Sequence, residues 1–283
     1  MPMIQFNNLA GQSPETICNT FNYAFSDYVI PFKINLPLFQ QKVQGENIQL
    51  PFSVGAFDND QLVAFMLHGT DDNGATPTRL YNGGTGVTPS HRGQRLVQQM
   101  YAQAIPSFIT AGIRELILEV ISTNTPAIKA YGSCGFRQSR VFHCFKGNIL
   151  PAPMPENIRI LNTQHPDWQL LASFSTQQPS WSNSLDSIRR EGNNTTTWLA
   201  YKHNEIIGFI SVFTGNCRIR QIAVHPDHRR QGIGQALLSH VATTLRQPLT
   251  IINVEEENTT LQKFLLNAGC QHTISQYEMI CQL

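Results

Sequence analysis

Residues Gln221 to Leu238 read QIAVHPDHRRQGIGQALL. Ile222, Ala223 and Val224 form an apolar run that ends a strand, and His225-Pro226-Asp227 turns the chain out of it. A basic loop follows, Arg229-Arg230-Gln231-Gly232-Ile233-Gly234, after which Ile233, Leu237, Val241 and Leu245 recur at every fourth position and set one face of a helix. The unit is strand, loop, helix. The first amides of a helix have no internal partners and lie at the positive end of its dipole, so such a loop suits an anion. Gly232 and Gly234 let the backbone close on a pyrophosphate with no Cβ in the way, while Arg229 or Arg230 adds charge.

Val224-x-Pro226, then Arg229-x-x-Gly232-x-Gly234 and an amphipathic helix, closely resembles the acetyl-CoA-binding signature of the GNAT superfamily of N-acetyltransferases. The resemblance implies acetyl-CoA or a related acyl-CoA as cofactor. It would be held by Ala223, Val224 and the run Arg229, Arg230, Gln231, Gly232, Ile233, Gly234 and Gln235.

The same pattern occurs earlier in the chain. Val87-Thr88-Pro89-Ser90-His91-Arg92 matches Val224 to Arg229, with 224 less 87 an offset of 137 residues. Asn124 to Gly135 matches Asn258 to Gly269 in spacing, at an offset of 134 (258 less 124). Phe57 to Phe65 matches Tyr201 to Phe209 at 144 (201 less 57), the difference falling in a longer hairpin over Gly69 to Thr78 where insertions cost little. Offsets this close indicate two copies of one fold. The sequence therefore predicts an α/β (α+β) chain of two tandem GNAT-like domains, residues 1–150 and 151–283, each a twisted mixed sheet of about six or seven strands flanked by helices.

In the first copy a helix is expected from Pro14 to Tyr28, capped by Ser13, with Ile17, Phe21, Ala24, Phe25 and Tyr28 on its buried face, and a second from Leu38 to Gln44. The aromatic residues Phe21, Tyr23, Phe25, Tyr28, Phe32 and Phe39 read first as core, and by the resemblance as a wall of the acceptor pocket. Strands follow at Phe52 to Phe57, Gln61 to His68 and Arg79 to Val87, the last carrying Gly83, Gly84 and Gly86. Three glycines in a strand predict a bulge or a close approach to the backbone. The resemblance puts the pantetheine arm of the cofactor there, at Gly86 and Val87. The loop reads Arg92-Gly93-Gln94-Arg95-Leu96-Val97, so Arg95 and Val97 stand where the second copy has Gly232 and Gly234. Its amides remain available, but an arginine side chain must be turned aside.

Leu116 to Ile121 reads as a central strand leading into NTPAIKAYGSCGF, Asn124 to Phe136, in which Thr125 caps a helix, Pro126 opens it and Gly135 stops it before a strand near Val141 to Phe145. This run resembles the second GNAT signature, Asn-x-x-Ala-x-x-x-Tyr-x-x-x-Gly-Phe. The resemblance implies that Asn124 contacts the cofactor arm and that the Tyr131 hydroxyl faces the CoA sulfur. A phenol of pKa about 10 beside a thiol of about 8.5 can hydrogen-bond a departing thiolate or protonate it at a cost of only about 2 kcal/mol. The second copy has Leu265 at the matching position.

Gly147 to Pro155, with three prolines, reads as the linker between copies. In the second copy Ile158 to Leu161, Thr195 to Tyr201, Ile206 to Phe213, Arg218 to Val224 and Leu249 to Val254 read as strands, and Trp168 to Phe174 and Leu185 to Arg190 as helices. One copy keeps the tyrosine and the glycine-rich strand, the other the regular phosphate loop, so catalysis by the first copy, by the second, or by both with unequal roles stays open. Neither strand before a phosphate loop carries an acid. Glu119, on the neighbouring strand, is the best-placed base for an amine whose deprotonation costs roughly 4 to 5 kcal/mol at neutral pH. An ion pair with Arg114 or Lys129 is the plain alternative for Glu119.

The 283 residues carry a net charge of +1 and are 41% hydrophobic, which predicts a chain folded throughout and no general attraction to nucleic acid or a membrane surface. No apolar run spans a bilayer and Met1 to Ala10 lacks the order of a signal peptide, so a cytoplasmic enzyme is expected. The six cysteines lack metal-site spacing and read as free thiols, with no metal. The expected function is acyl transfer from acetyl-CoA to a small-molecule or peptide amine, and homo-oligomers are compatible with the sequence. A non-catalytic CoA-binding sensor or scaffold is the alternative.

Overall fold

The structure is a computed structural model that describes residues 4–27, 33–71, 76–175 and 177–283. Tyr28 and Phe32, and the middle of the 69–78 hairpin, lie outside the described residues. In chain order the elements begin with β1 (Gln5–Asn8), α1 (Pro14–Ala24), α2 (Leu36–Gly45), β2 (Val54–Asp58), β3 (Gln61–Thr70), β4 (Arg79–Val87), α3 (Leu96–Thr110), β5 (Glu115–Ile121), α4 (Thr125–Ser133) and β6 (Arg137–Gly147). They continue with β7 (Ile158–Thr163), α5 (Trp168–Ala172), α6 (Leu185–Glu191), β8 (Thr195–Lys202), β9 (Glu205–Phe213), β10 (Arg218–Val224), α7 (Ile233–Leu245), β11 (Leu249–Glu255), α8 (Thr259–Asn267) and β12 (Cys270–Gln282).

Met1–Arg140 with Tyr277–Leu283 make one compact unit and Val141–Gln276 the other. The units therefore do not follow a cut after residue 150. The strand near Val141 to Phe145, which the boundary at residue 150 assigned to the first copy, pairs with β11 of the second unit, as Ile251 with Phe145 and Val254 with His143. The first unit is completed from the far end of the chain. Met279 and Cys281 join its core, and the Leu283 amide donates to Arg114 O at 2.8 Å.

In the first unit β1 to β4 are antiparallel neighbours and β5 joins β4 in parallel, a mixed sheet with helices on both faces. One face carries Ala64, Met66, Leu80, Leu118 and Val120 and packs on α3 residues such as Met100, Tyr101 and Phe108. The other carries Phe65 and Leu67 against Ile17, Phe21 and Phe39 of α1 and α2. The alternation of β3 alone assigns these faces, since successive side chains point oppositely. The Ser13 hydroxyl caps α1 by accepting from the Thr16 amide at 3.0 Å, and α1 ends at Ala24 rather than Tyr28. Asn35 caps α2, which begins two residues earlier than the sequence suggests. Among the aromatics in this region, Phe21 and Phe39 are core, whereas Tyr23 is 51% exposed.

The second unit repeats the plan, with strand order β6-β11-β10-β9-β8-β7, β10 and β11 running parallel, and Leu237, Leu238 and Val241 of α7 in its core. Leu171 and Phe174 cover the opposite face against Leu199 and Phe209. Both units are thus twisted mixed sheets flanked by helices, the architecture expected. Among the described residues no helix is long and apolar enough to cross a membrane.

Candidate active site

In each unit the central parallel strands part company at the same place. Strand β4 pairs with β5 only from Arg79/Glu115 to Asn82/Leu118, although both strands run on, to Val87 and Ile121. Strands β10 and β11 pair only at Arg218/Thr250 and Ile219/Ile251. The backbone groups beyond are not taken by the neighbouring strand, which leaves a wedge at the carboxyl end of the sheet. A bulge starts the divergence. The β3 partners of β4 jump from Leu67/Gly84 to His68/Asn82, leaving Gly83 unpaired, and those of β10 jump from Ser211/Gln221 to Val212/Ile219, leaving Arg220 unpaired.

The predicted bulge is therefore present, and its glycines have a further cause. A Cβ on Gly83 would lie 2.4 Å from Glu46 Oε2, and one on Gly86 would lie 2.6 Å from the Phe65 ring and 2.8 Å from Ala24. Side chains of this unit already make the close approach that the sequence foretold. Asn82 Nδ2 donates to Thr85 Oγ1 at 2.7 Å and to Tyr101 Oη at 2.8 Å, holding the strand at the turn. Burial, and secondarily the neighbouring Tyr131, push the Tyr101 hydroxyl well above the ordinary phenol range.

The two phosphate-type loops share one backbone path. Gly93 (φ +77°) and Arg95 (φ 56°) are left-handed in the first, Arg230 (φ 63°) and Gly232 (φ +80°) in the second. Arg95 and Gly232 are the residues that precede α3 and α7, and no side chain caps either helix. The first helical bonds are Gln99 N to Arg95 O and Ala236 N to Gly232 O. The amides of Leu96, Val97 and Gln98, and of Ile233, Gly234 and Gln235, are consequently the ones without helical acceptors. The side chain of Arg95 does not deform its loop, although a non-glycine residue pays roughly 1 kcal/mol for that conformation.

Arg92 and Arg229, read as phosphate contacts, are structural ties. Arg92 Nε donates to Val87 O at 3.3 Å and Nη2 to Ala24 O at 2.9 Å, and its guanidinium grips Asp27 twice at 2.7 Å. This hydrogen bonding to Arg92 holds the Asp27 carboxyl below its ordinary range. Arg229 Nε donates to Val224 O at 3.1 Å and Nη2 to Phe174 O at 2.9 Å, with no carboxylate in the pair. The exposed Arg95 and Arg230 make no ion pair among the described residues and are the charges each loop presents.

The remaining loop residues divide by role. Gln94 gives its carbonyl to Gln99 Nε2 at 2.8 Å, Leu96 is core and Val97 packs partly buried against that core. In the second unit Gln231 is exposed, Ile233 is core, Gln235 donates to Leu150 O at 3.1 Å, and Ala223 packs beside Leu199 and Phe209. A Cβ on Gly234 would lie 3.1 Å from Phe264, and one on Gly232 would lie 3.5 Å from Pro155. Here Gly234 admits a ring of α8, whereas Gly232 has ordinary room and answers to its positive φ. A shallow cleft lined by Pro151, Ser239 and Arg246 lies at the carboxyl half of α7, away from this loop.

Asn124, not Thr125, caps α4: its Oδ1 accepts from the Ala127 amide at 3.2 Å, and Thr125 is the first helical residue. Asn258 caps α8 in the same way at 3.0 Å. Tyr131 stands on α4 with its ring edge-on to Phe136 at 5.8 Å, half-buried against the core below α3. Leu265, its counterpart, is fully buried. Glu119 accepts from Tyr81 Oη at 3.2 Å. Paired residues share a face, so the pairs Gly69/Tyr81 and Tyr81/Ile117 put Glu119, two residues beyond Ile117, on the α1–α2 side, opposite the core that holds Tyr131. The two catalytic candidates do not share a cluster; only the wedge joins their faces.

The sequence reading missed Glu46. Its carboxylate, 10% exposed, lies over the Gly83 bulge and receives Lys42 Nζ at 2.6 and 2.7 Å. The only local signal was an acid at the end of a short helix. The second unit has an acid in the equivalent place, Glu191 at the end of α6, and Arg220 from the bulge closes an ion pair with it; both are buried. Among the described residues no group of His, Cys, Asp and Glu could hold a metal ion, and all six cysteines are free thiols.

No curated protein matches the chain in sequence. Among solved structures it is similar to a tandem GNAT protein from the clavulanic acid biosynthesis pathway (TM-score 0.76, 14% identity, covering 99% of this chain and 98% of that one). It is similar also to a putative acetyltransferase from Pyrococcus horikoshii (0.69, 11%, 99% and 89%) and to a GCN5-related N-acetyltransferase from Sphaerobacter thermophilus (0.69, 14%, 99% and 95%). At these identities the likeness is one of fold. The model of the acetyltransferase (GNAT) family matches residues 21–136 and again 158–269, the two stretches that carry the wedges and loops described above. By that double match the chain belongs to the GNAT acetyltransferase family, with the family's fold present twice.

Proposed function

We propose that the first copy, residues 1–150 as a unit of descent, transfers an acetyl or related acyl group from its CoA thioester to an amine. The carrying observation is the conjunction, in one unit, of an uncapped helix α3, an open wedge between β4 and β5, and Tyr131 on the adjoining helix. The loop fits a pyrophosphate because its left-handed residues turn the uncapped amides of Leu96, Val97 and Gln98 outward, with Arg95 adding charge. The acyl-CoA supplies the activated thioester. Tyr131 donates its hydroxyl proton toward the departing sulfur, and Tyr101, kept protonated by burial and hydrogen-bonded to Asn82, backs it. The second copy keeps an uncapped loop but has Leu265 in the core where a donor would stand, so its role is binding or support.

Two measurements test this. Tyr131→Phe should lower turnover about a hundredfold, within the usual range for a general acid, with acetyl-CoA affinity unchanged. An unaltered rate would assign the donor's role to another group, and no turnover in the wild type would favour the sensor or scaffold reading. Calorimetry of acetyl-CoA binding to the full chain, to Gly232→Glu and to Arg95→Glu should show binding lost in Arg95→Glu. Loss confined to Gly232→Glu would move the cofactor to the second copy and remove Tyr131 from the chemistry.

A further inference from the structure

Four polar side chains meet in the second unit, on the far side of β11 from its wedge. Ser275 of β12 stands between two imidazoles, its Oγ 2.9 Å from Nδ1 of His143 on β6 and 3.1 Å from His272 Nε2. The other nitrogen of His143, Nε2, lies 3.6 Å from Oε1 of Glu256, in the turn after β11. The His272 ring is edge-on to His143 at 5.3 Å and to Phe145 at 5.8 Å, which fixes its direction. The fold does not impose this cluster, since at the offset of 134 residues (256 less 122) the first unit has Ser122 in the place of Glu256. A serine hydroxyl has one proton to give, so at most one imidazole takes it, and the other gives its own N–H to Oγ. Glu256 decides between them. A carboxylate beside Nε2 of His143 favours the proton there, turns the Nδ1 lone pair to Ser275, and stabilises the imidazolium that forms when the hydroxyl proton is taken. His272 then presents its Nε2–H to oxygen that gains charge one bond from Oγ.

We propose that Ser275 is a nucleophile, the centre of a second activity of this chain that hydrolyses small carboxylic esters. Ser275 Oγ bonds to the ester carbonyl carbon as its proton passes to His143 Nδ1, and the carbonyl oxygen, now an anion, receives the His272 N–H. The bond from that carbon to the alcohol oxygen breaks, and the leaving oxygen takes the proton from His143. Water attacks the Ser275 ester in the same way, giving its proton to His143, so that the carboxylic acid leaves and the hydroxyl is restored. The centre is open, with His272 exposed and the Glu256 side chain 61% exposed, so it suits short acyl groups on good leaving groups. It shares no residue with the acyl-CoA site assigned to the first copy and stands whether or not that copy transfers acyl groups.

The test is reaction of the full chain with p-nitrophenyl acetate, following p-nitrophenolate release and locating the acetyl group by peptide mass spectrometry, because aryl esters also label lysine and cysteine side chains. The wild type should carry acetyl on Ser275, and Ser275→Ala should lose that label and the enzymatic release together. His143→Gln should slow labelling of Ser275 roughly a hundredfold, the usual contribution of a general base. Glu256→Gln should slow it about tenfold, the loss of one charge-assisted contact. Glu256 is mostly exposed and the amide keeps its shape, so a folding defect in the histidine variant would not blur the result. No acetyl on Ser275 in the wild type, or a labelling rate in His143→Gln or Glu256→Gln equal to that of the wild type, overturns the proposal.

Discussion

Arg92 to Val97 and Arg229 to Gly234 follow one backbone path with opposite spending of glycine. The first loop puts Gly93 at its first left-handed position and Arg95 at its second; the second loop puts Arg230 first and Gly232 second. The missing motif glycine in the first copy is thus no sign of a ruined loop. Each copy meets the same backbone demand once with glycine and once with arginine, and each thereby presents a cation. The bulges teach the converse. There the backbone is again shared, but glycine against arginine separates an acid that receives Lys42 from its own helix from one that receives Arg220 from the bulge. The same exchange is neutral where the side chain points to solvent and decisive where it points at a carboxylate.

The comparison breaks most sharply at the sealed ion pair. Arg220→Met leaves Glu191 buried without its guanidinium and should cost about 3–5 kcal/mol, read from urea denaturation of the full chain, whereas Lys42→Met, which removes the more exposed of the two cations, should cost less. Equal losses would mean that the two acids depend equally on their cations.

A pH difference comes next. His68 is fully buried, its Nδ1 faces Phe52 O at 3.0 Å, and burial lowers its pKa to about 4 from the ordinary 6.5; the matching residue on β9 is Val212. Above about pH 6.5 both folded and unfolded chains hold this histidine neutral and its contribution to stability is intact. As pH falls below that, the unfolded chain takes up a proton that the native site refuses, and stability on the order of 3 kcal/mol is lost by about pH 4. Denaturation at pH 7, 5.5 and 4.5 should show this slope, and His68→Val, which installs the second copy's residue, should flatten it. A slope unchanged in that variant would assign the acid sensitivity to other groups.

The smallest effect sharpens the loop comparison. Arg95→Gly should raise stability by up to about 1 kcal/mol by removing a left-handed arginine, and Gly232→Arg should lower it by a similar amount. Differential scanning calorimetry of both should give shifts of opposite sign. Shifts of the same sign would show that the two loops differ in path when free in solution.

Much of the site was legible in the chain because its signals are local. Tyr131 lies seven residues beyond Asn124 on a helix stopped by Gly135 (φ +92°), and Leu265, at the same spacing, is core as an apolar residue there would be. In the sequence Arg92 and Arg229 look like ligands, because a basic residue in an anion loop does. Only their distant acceptors, Ala24 O and Phe174 O, reveal them as ties. Glu119 could not be placed by alternation alone, which gives a parity but not which helices cover that side; the pairs Gly69/Tyr81 and Tyr81/Ile117 supply that.

By itself the sequence determined the double repeat, the strand-loop-helix units, the caps of α1 at Ser13 and of α4 within one residue, and the asymmetry between Tyr131 and Leu265. Each depends on residues a few positions apart, whose periodicity and backbone preference act without the rest of the chain. Tertiary structure alone decided that Tyr277–Leu283 completes the first unit while Val141 onward serves the second, and that Glu46 meets Gly83. Strand edges accept any chain that offers a matching register. Which segment fills them depends on loop closure and packing across the whole fold, a competition that no local stretch records.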